Sequence, residues 1–148
     1  MGLIVHRHGP RTSAARLAAS EALASDIAHL RWINQQLDEA VQRSETEKVP
    51  DLTNAFHQTI AEAARNSMLK QFIMQAQSWT RRFGTSTVAL PSRSAMALAE
   101  HARLVDAIEA RDPDLAEQIA RDHMIAARKL QIATLRERTA TPIAFPTD

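Results

Sequence analysis

Apolar residues along most of this chain recur at steps of three and four, the period of an α-helix. The stretch "TSAARLAASEALA" predicts a first helix, capped by Thr12 or Ser13. A second starts at Ser25-Asp26 and carries Ile27, Leu30, Ile33 and Leu37 before fading near Val41 to Arg43. The polar connection "SETEKVPDL" follows, where Pro50 is expected to block any helix running through it. A third helix runs from Asp51 to about Arg65. Asn66 and Ser67 end it and cap a fourth, whose Leu69, Phe72, Ile73, Ala76 and Trp79 are expected on one face, with Gly84 placed to stop it. "TSTVALPS" reads as a loop. Ser92 or Ser94 opens a fifth helix with Met96, Leu98, Leu104, Val105 and Ile108. Pro113, at a first-turn position, opens a sixth that extends to about Arg138. Short connections between such helices predict an all-α protein, an antiparallel bundle of about six helices. Its expected organisation is an irregular segment over 1–11, one helical domain over 12–138 and a tail over 139–148.

Composition narrows this picture. The chain has 148 residues, enough for one domain with one core, and only 4% are aromatic, so that core must be built from Leu, Ile, Val, Ala and Met. Three Gly and six Pro are few punctuators for this length, which favours long helices. A formal charge of +1 offers no polycationic surface for nonspecific nucleic-acid binding. The absence of Cys removes disulfides, thiolate nucleophiles and Cys-based zinc sites, and fits a reducing compartment. No run of 18 apolar residues marks a transmembrane helix, and the start is too short for a signal peptide, so a cytoplasmic protein that meets no membrane is expected.

The candidate chemistry lies in three of the six histidines. His57 is in line with Ile60, Ala61 and Ala64; His101 with Leu98, Leu104, Val105 and Ile108; His123 with Ile119, Ala126, Ala127 and Leu130. Each belongs to a different helix and points inward by the helix period. A buried neutral imidazole must satisfy one donor and one acceptor, so three in one small bundle are costly unless they share a task. Neutral imidazole is also the commonest metal ligand, and helix bundles build metal sites from inward-facing side chains on separate helices. The alternative is that each makes its own local hydrogen bond and the three never meet.

All three of these histidines sit in two recognisable stretches. "FHQTIAEAARN" and "EHARLVDAIEARDPDLAEQIARDH", with "AARLAA" upstream, resemble the FCD domain, the FadR C-terminal ligand-sensing domain of GntR-family transcription regulators. The resemblance covers residues 14 to 138. It implies a helical bundle that dimerises and senses a small effector, often an organic or sugar acid. It also implies a divalent metal held by His57, His101 and His123; a His-rich, thiolate-free set of donors suits Zn, Ni, Fe or Mn. The family's fourth ligand stands one turn before the first of these, where this chain has Thr53 rather than a carboxylate or amide; Asn54 is the neighbouring substitute. In the same register, Arg11 stands where the family usually has Glu.

On this reading the chain is an effector-sensing and dimerisation domain, a homodimer taking a small anionic ligand such as a carboxylate. Arg suits bidentate carboxylate recognition, and Arg65, Arg81 and Arg93, with Asn66, are the expected effector-binding residues. No winged helix-turn-helix segment precedes residue 12, so no direct DNA binding by this chain alone is expected, and a truncated or mis-started regulator is the expectation. One alternative is a metal-dependent hydrolase or lyase, since an open position on such an ion activates water. Against it, Glu100 adjoins His101 but lies about 100° around the helix, so no carboxylate is marked as a general base. A second alternative is a DNA-binding-deficient partner for full-length regulators.

Overall fold

The computed structural model describes residues 9–83 and 91–140, less the side chains of Thr80, Arg81, Phe83, Pro91 and Arg138. Six helices occupy these residues: α1 Pro10–Glu21, α2 Ala24–Gln42, α3 Val49–Ala63, α4 Ser67–Phe83, α5 Pro91–Glu109 and α6 Pro113–Ala140. The protein is an all-α bundle. The expected stop at Gly84, the loop core from Thr85 to Leu90 and the tail from Thr141 onward lie outside the described residues.

Helix starts differ from the expected ones for a common reason. α1 begins at Pro10 rather than at Thr12, because proline's fixed φ suits the first helical position and its missing N–H is one the helix would leave unpaired anyway. Gly9 precedes it at φ 75°, a left-handed conformation that a residue without Cβ adopts at no steric cost. Pro50 likewise sits in the first turn of α3 instead of blocking it. The Asp26 carboxylate caps α2 by accepting from Leu23 N–H at 2.8 Å. With glycine scarce, Ser44, Arg65 and Arg111 take the left-handed conformation after α2, α3 and α5 (φ 58°, 52° and 57°). The bonds Glu45 N–H to Ala40 O (2.9 Å) and Asp112 N–H to Ala107 O (3.0 Å) close two of these ends.

The core is built around α1. Its Ala14, Ala15, Ala18 and Ala19 are all buried, and small side chains let the helix lie close against α3, α4, α5 and α6. Leu30 and Ile33 of α2, Phe56 and Ile60 of α3, Leu104, Val105 and Ile108 of α5 and Ala116, Ile119 and Ala120 of α6 complete it. The face expected for α4 is partly corrected. Leu69, Ile73 and Gln77, spaced by four, are its buried stripe, whereas Phe72 and Trp79 are 55% and 67% exposed. Periodicity detects an apolar stripe, but a helix with two such stripes is oriented only by the neighbours it docks on, here α3 and α1. Met96, Leu115 and Leu135 are exposed for the same reason. Among the described residues, no helix is long and apolar enough to cross a membrane.

Candidate metal centre

α3, α5 and α6 each deliver one imidazole to a single point. His57, His101 and His123 are all buried, and one nitrogen of each lies within 4.8 Å of the others. Their ring centroids form a nearly equilateral triangle with sides of 5.3, 5.1 and 5.0 Å. The closest approach is Nε2 of His57 to Nε2 of His123, at 3.3 Å. Phe56 holds the His101 ring by stacking at 4.0 Å between centroids and 12° between planes.

His123 is oriented differently, by charge. Its Nδ1 contacts Glu100 Oε2 and lies 3.1 Å from Arg93 Nη2. A carboxylate can only accept and a guanidinium can only donate; the carboxylate is the nearer, so it takes the Nδ1 hydrogen, while Arg93 Nη2 donates to Glu100 Oε2 and the His123 carbonyl. The same carboxylate accepts a two-pronged bond from Arg93, Nη1 to Oε1 at 3.1 Å and Nη2 to Oε2 at 2.9 Å. Arg93, seven residues and two helical turns before Glu100, is buried. With the hydrogen on Nδ1, a neutral His123 presents its Nε2 lone pair toward His57. A carboxylate on the far nitrogen is the usual orienting partner of a metal-binding histidine.

The titration behaviour follows from burial. His57 is held well below its ordinary range, first by desolvation and then by the charges of Arg11, His123, His101 and Arg93. His101 is lowered to about 3, again mainly by burial. Burial pushes Glu100 upward, but the hydrogen bonds from His123 and Arg93 prevail and bring it down to about 2. At neutral pH, His57 and His101 are therefore neutral imidazoles beside an ionised Glu100.

These residues suit a divalent ion. Both ring nitrogens of His101 are buried without a hydrogen-bond partner, and so is Thr53 Oγ1. An unpaired buried polar atom costs free energy that a coordinate bond would recover. Two nitrogens on a tetrahedral zinc, at Zn–N of about 2.0–2.1 Å, stand about 3.3 Å apart, the separation found between His57 and His123. Imidazoles coordinate as neutral donors, so the ion's charge would be left unneutralised by its ligands.

The other expected site residues lie apart from one another. Thr53 is buried one turn before His57. Asn54 instead faces a surface cleft with Gln58, Met74 and Gln77, and its carbonyl accepts from Gln77 Nε2 at 3.3 Å. Arg65 is exposed and paired with Asp26 at 2.8 Å. Asn66 Oδ1 caps α4 by accepting from Leu69 N–H at 3.0 Å. The side chain of Arg81 lies outside the described residues. Arg93 does reach the cluster, but its guanidinium is engaged by Glu100. Two contributors escaped the sequence reading. Glu100 points away from His101, as the helix period requires, and for that reason meets His123 on the next helix. Arg11, with Met124, lines a cavity of about 10 Å³ beside His57 and His123.

The FCD domain pattern matches residues 12–126, most of the chain. The chain belongs to the FCD domain family. It therefore has the effector-binding regulatory domain of GntR-family regulators, a class typically without enzymatic activity. No curated protein matches the chain. The FCD match spans all three histidines, and α6 continues beyond its end to Ala140.

Proposed function

We propose that this FCD domain senses a small anion with the help of a divalent metal held by His57, His101 and His123, and that it acts as a cytoplasmic homodimer. The observation that carries the reading is His101, whose two ring nitrogens are both buried and unpartnered while facing two further imidazoles. Three separately satisfied core histidines would not leave these atoms bare. Neutral ligands leave the metal's charge for an incoming carboxylate to meet. Exposed apolar side chains on α4 (Met68, Phe72, Met74) and α6 (Ile125, Ile132) support self-association. The hydrolase alternative gains nothing from the site, because Glu100 is held by Arg93 and His123 and is a poor base at about 2.

Melting the protein with and without Zn, Ni and Mn tests the metal reading. A ligand stabilises by its affinity for the folded state, so metal should raise Tm. Thr53→Asp should enlarge that rise by supplying an anionic ligand, yet lower Tm without metal by burying an unpaired carboxylate. His123→Ala should abolish the metal effect in both backgrounds. If Thr53→Asp lowers stability equally with and without metal, the three histidines do not form a site.

A further inference from the structure

We propose that Arg11 is an anion-binding residue, taking one carboxylate of a ligand whose other carboxylate lies at the three histidines, so that the domain selects small dicarboxylates over monocarboxylates. The proposal rests on the metal reading above and goes beyond it by naming the second anchor and the ligand class.

Arg11 differs from most guanidiniums that bond across helices. Arg16 meets Asp114 and Glu117, Arg31 meets Asp106 and Glu109, Arg65 meets Asp26, and Arg93 meets Glu100. Arg111 donates to Ala19 O at 3.4 Å, but its side chain is exposed to water. Arg11 is part-buried, and the one hydrogen-bond acceptor it has among the described residues is the Met124 thioether, at 3.7 Å. A thioether is a weak acceptor and carries no charge. Among the described residues no acidic side chain is paired with it, and burial lowers its pKa. A guanidinium removed from water without a counter-ion is unfavourable, and a ligand carboxylate would relieve that.

The location supports the same conclusion. Arg11 and Met124 line the small cavity beside His57 and His123, and they also line a cleft of about 380 Å³ on the outer side, together with Arg128 and Gln131. The inner cavity holds no more than a single water. Met124, with Arg11 and Ile73, lines both the cavity and the cleft and so forms the wall between them; its unbranched side chain is the part of that wall that can turn aside at low cost. A molecule entering from the cleft passes Arg11 before it reaches the imidazoles. The acidic group at the cluster, Glu100, is already engaged by Arg93. A divalent ion beside Arg11 would thus present two adjacent unneutralised positive centres, which two linked carboxylates match and one does not.

Calorimetric titration of succinate and butyrate, acids of equal carbon number, into zinc-loaded and zinc-free protein tests this. The zinc-loaded wild type should bind succinate at least about ten-fold more tightly than butyrate. Arg11→Gln should erase that preference, and Arg11→Lys should retain part of it, because a single ammonium lacks the two-pronged geometry. Zinc affinity should be unchanged or higher in Arg11→Gln, since a nearby positive charge is removed. A preference for succinate that survives Arg11→Gln overturns the proposal, as does a zinc-loaded wild type that binds neither acid. Failure of zinc to bind the wild type overturns the metal reading instead. Arg11 is then judged on the zinc-free protein, where succinate binding lost in Arg11→Gln upholds its role as an anion anchor and any other result removes it. Should Arg11→Gln not fold, Arg11→Lys decides, with weaker succinate binding expected and unchanged binding counting against the proposal.

Discussion

Two flanks of the histidine cluster each carry an arginine, and they are in opposite electrostatic states. On the α5 flank Arg93 is 3% exposed and meets Glu100 with two hydrogen bonds, and Glu100 in turn fixes His123. That flank is neutralised. On the α1 flank Arg11 has a thioether and a cavity. The difference teaches which side is scaffold and which is receptor. A buried charge that is already paired orients its neighbours, whereas one without a counter-ion has interaction energy left for a ligand.

The largest expected effect breaks the finished flank. Arg93→Gln removes one partner of a buried ion pair and should destabilise the metal-free fold by about 3 kcal/mol, read from urea unfolding. A loss under half of that would mean that Glu100 is adequately solvated without Arg93. Next, Glu100→Gln should weaken zinc binding by about ten- to a hundred-fold, the usual cost of losing the group that orients a histidine ligand. Nitrogen chemical shifts of His123 should show its Nδ1-protonated form giving way to a tautomer mixture. Unchanged shifts would show that packing alone sets the ring.

Acid should separate the flanks further. His101 has a folded pKa of about 3 against about 6.5 unfolded, and that of His57 is lowered in the same direction. The unfolded chain therefore binds more protons below pH 6.5. The stability these neutral imidazoles contribute is complete above that pH and is lost as pH falls toward 3, with a slope of about 1.4 kcal/mol per unit for each. Glu100, at about 2, adds a second loss from about pH 4.5 downward. Unfolding free energies measured from pH 7 to pH 4 should fall throughout, and His101→Phe should flatten the curve. The smallest effect concerns the open flank. Arg11→Gln should raise metal-free stability slightly, by about 0.5–1 kcal/mol, because it gives up only a thioether contact and removes a desolvated charge. A cost near that of Arg93→Gln would erase the contrast between the two arginines.

The helices and the inward orientation of His57, His101 and His123 were legible in the sequence because both depend on a local period. A residue's face on its own helix is set by spacing from its neighbours, and apolar residues at steps of three and four mark the buried side. The Arg93–Glu100 pair left a partial trace, since seven residues make two turns and place both on one face. The phase of α4 left none: Leu69 and Phe72 are equally apolar, and only docking on α3 and α1 buries the first with Ile73 and exposes the second. Tertiary structure alone decided that Glu100 reaches His123, that Phe56 lies on His101 and that Arg11 lies beside the cluster. Each of these joins two helices, or two turns whose side chains meet only after the helices have docked, and the angle and depth of docking are set by the whole set of buried side chains together. Spacing within one helix carries the direction of a side chain; its partner is chosen by the packing of all six.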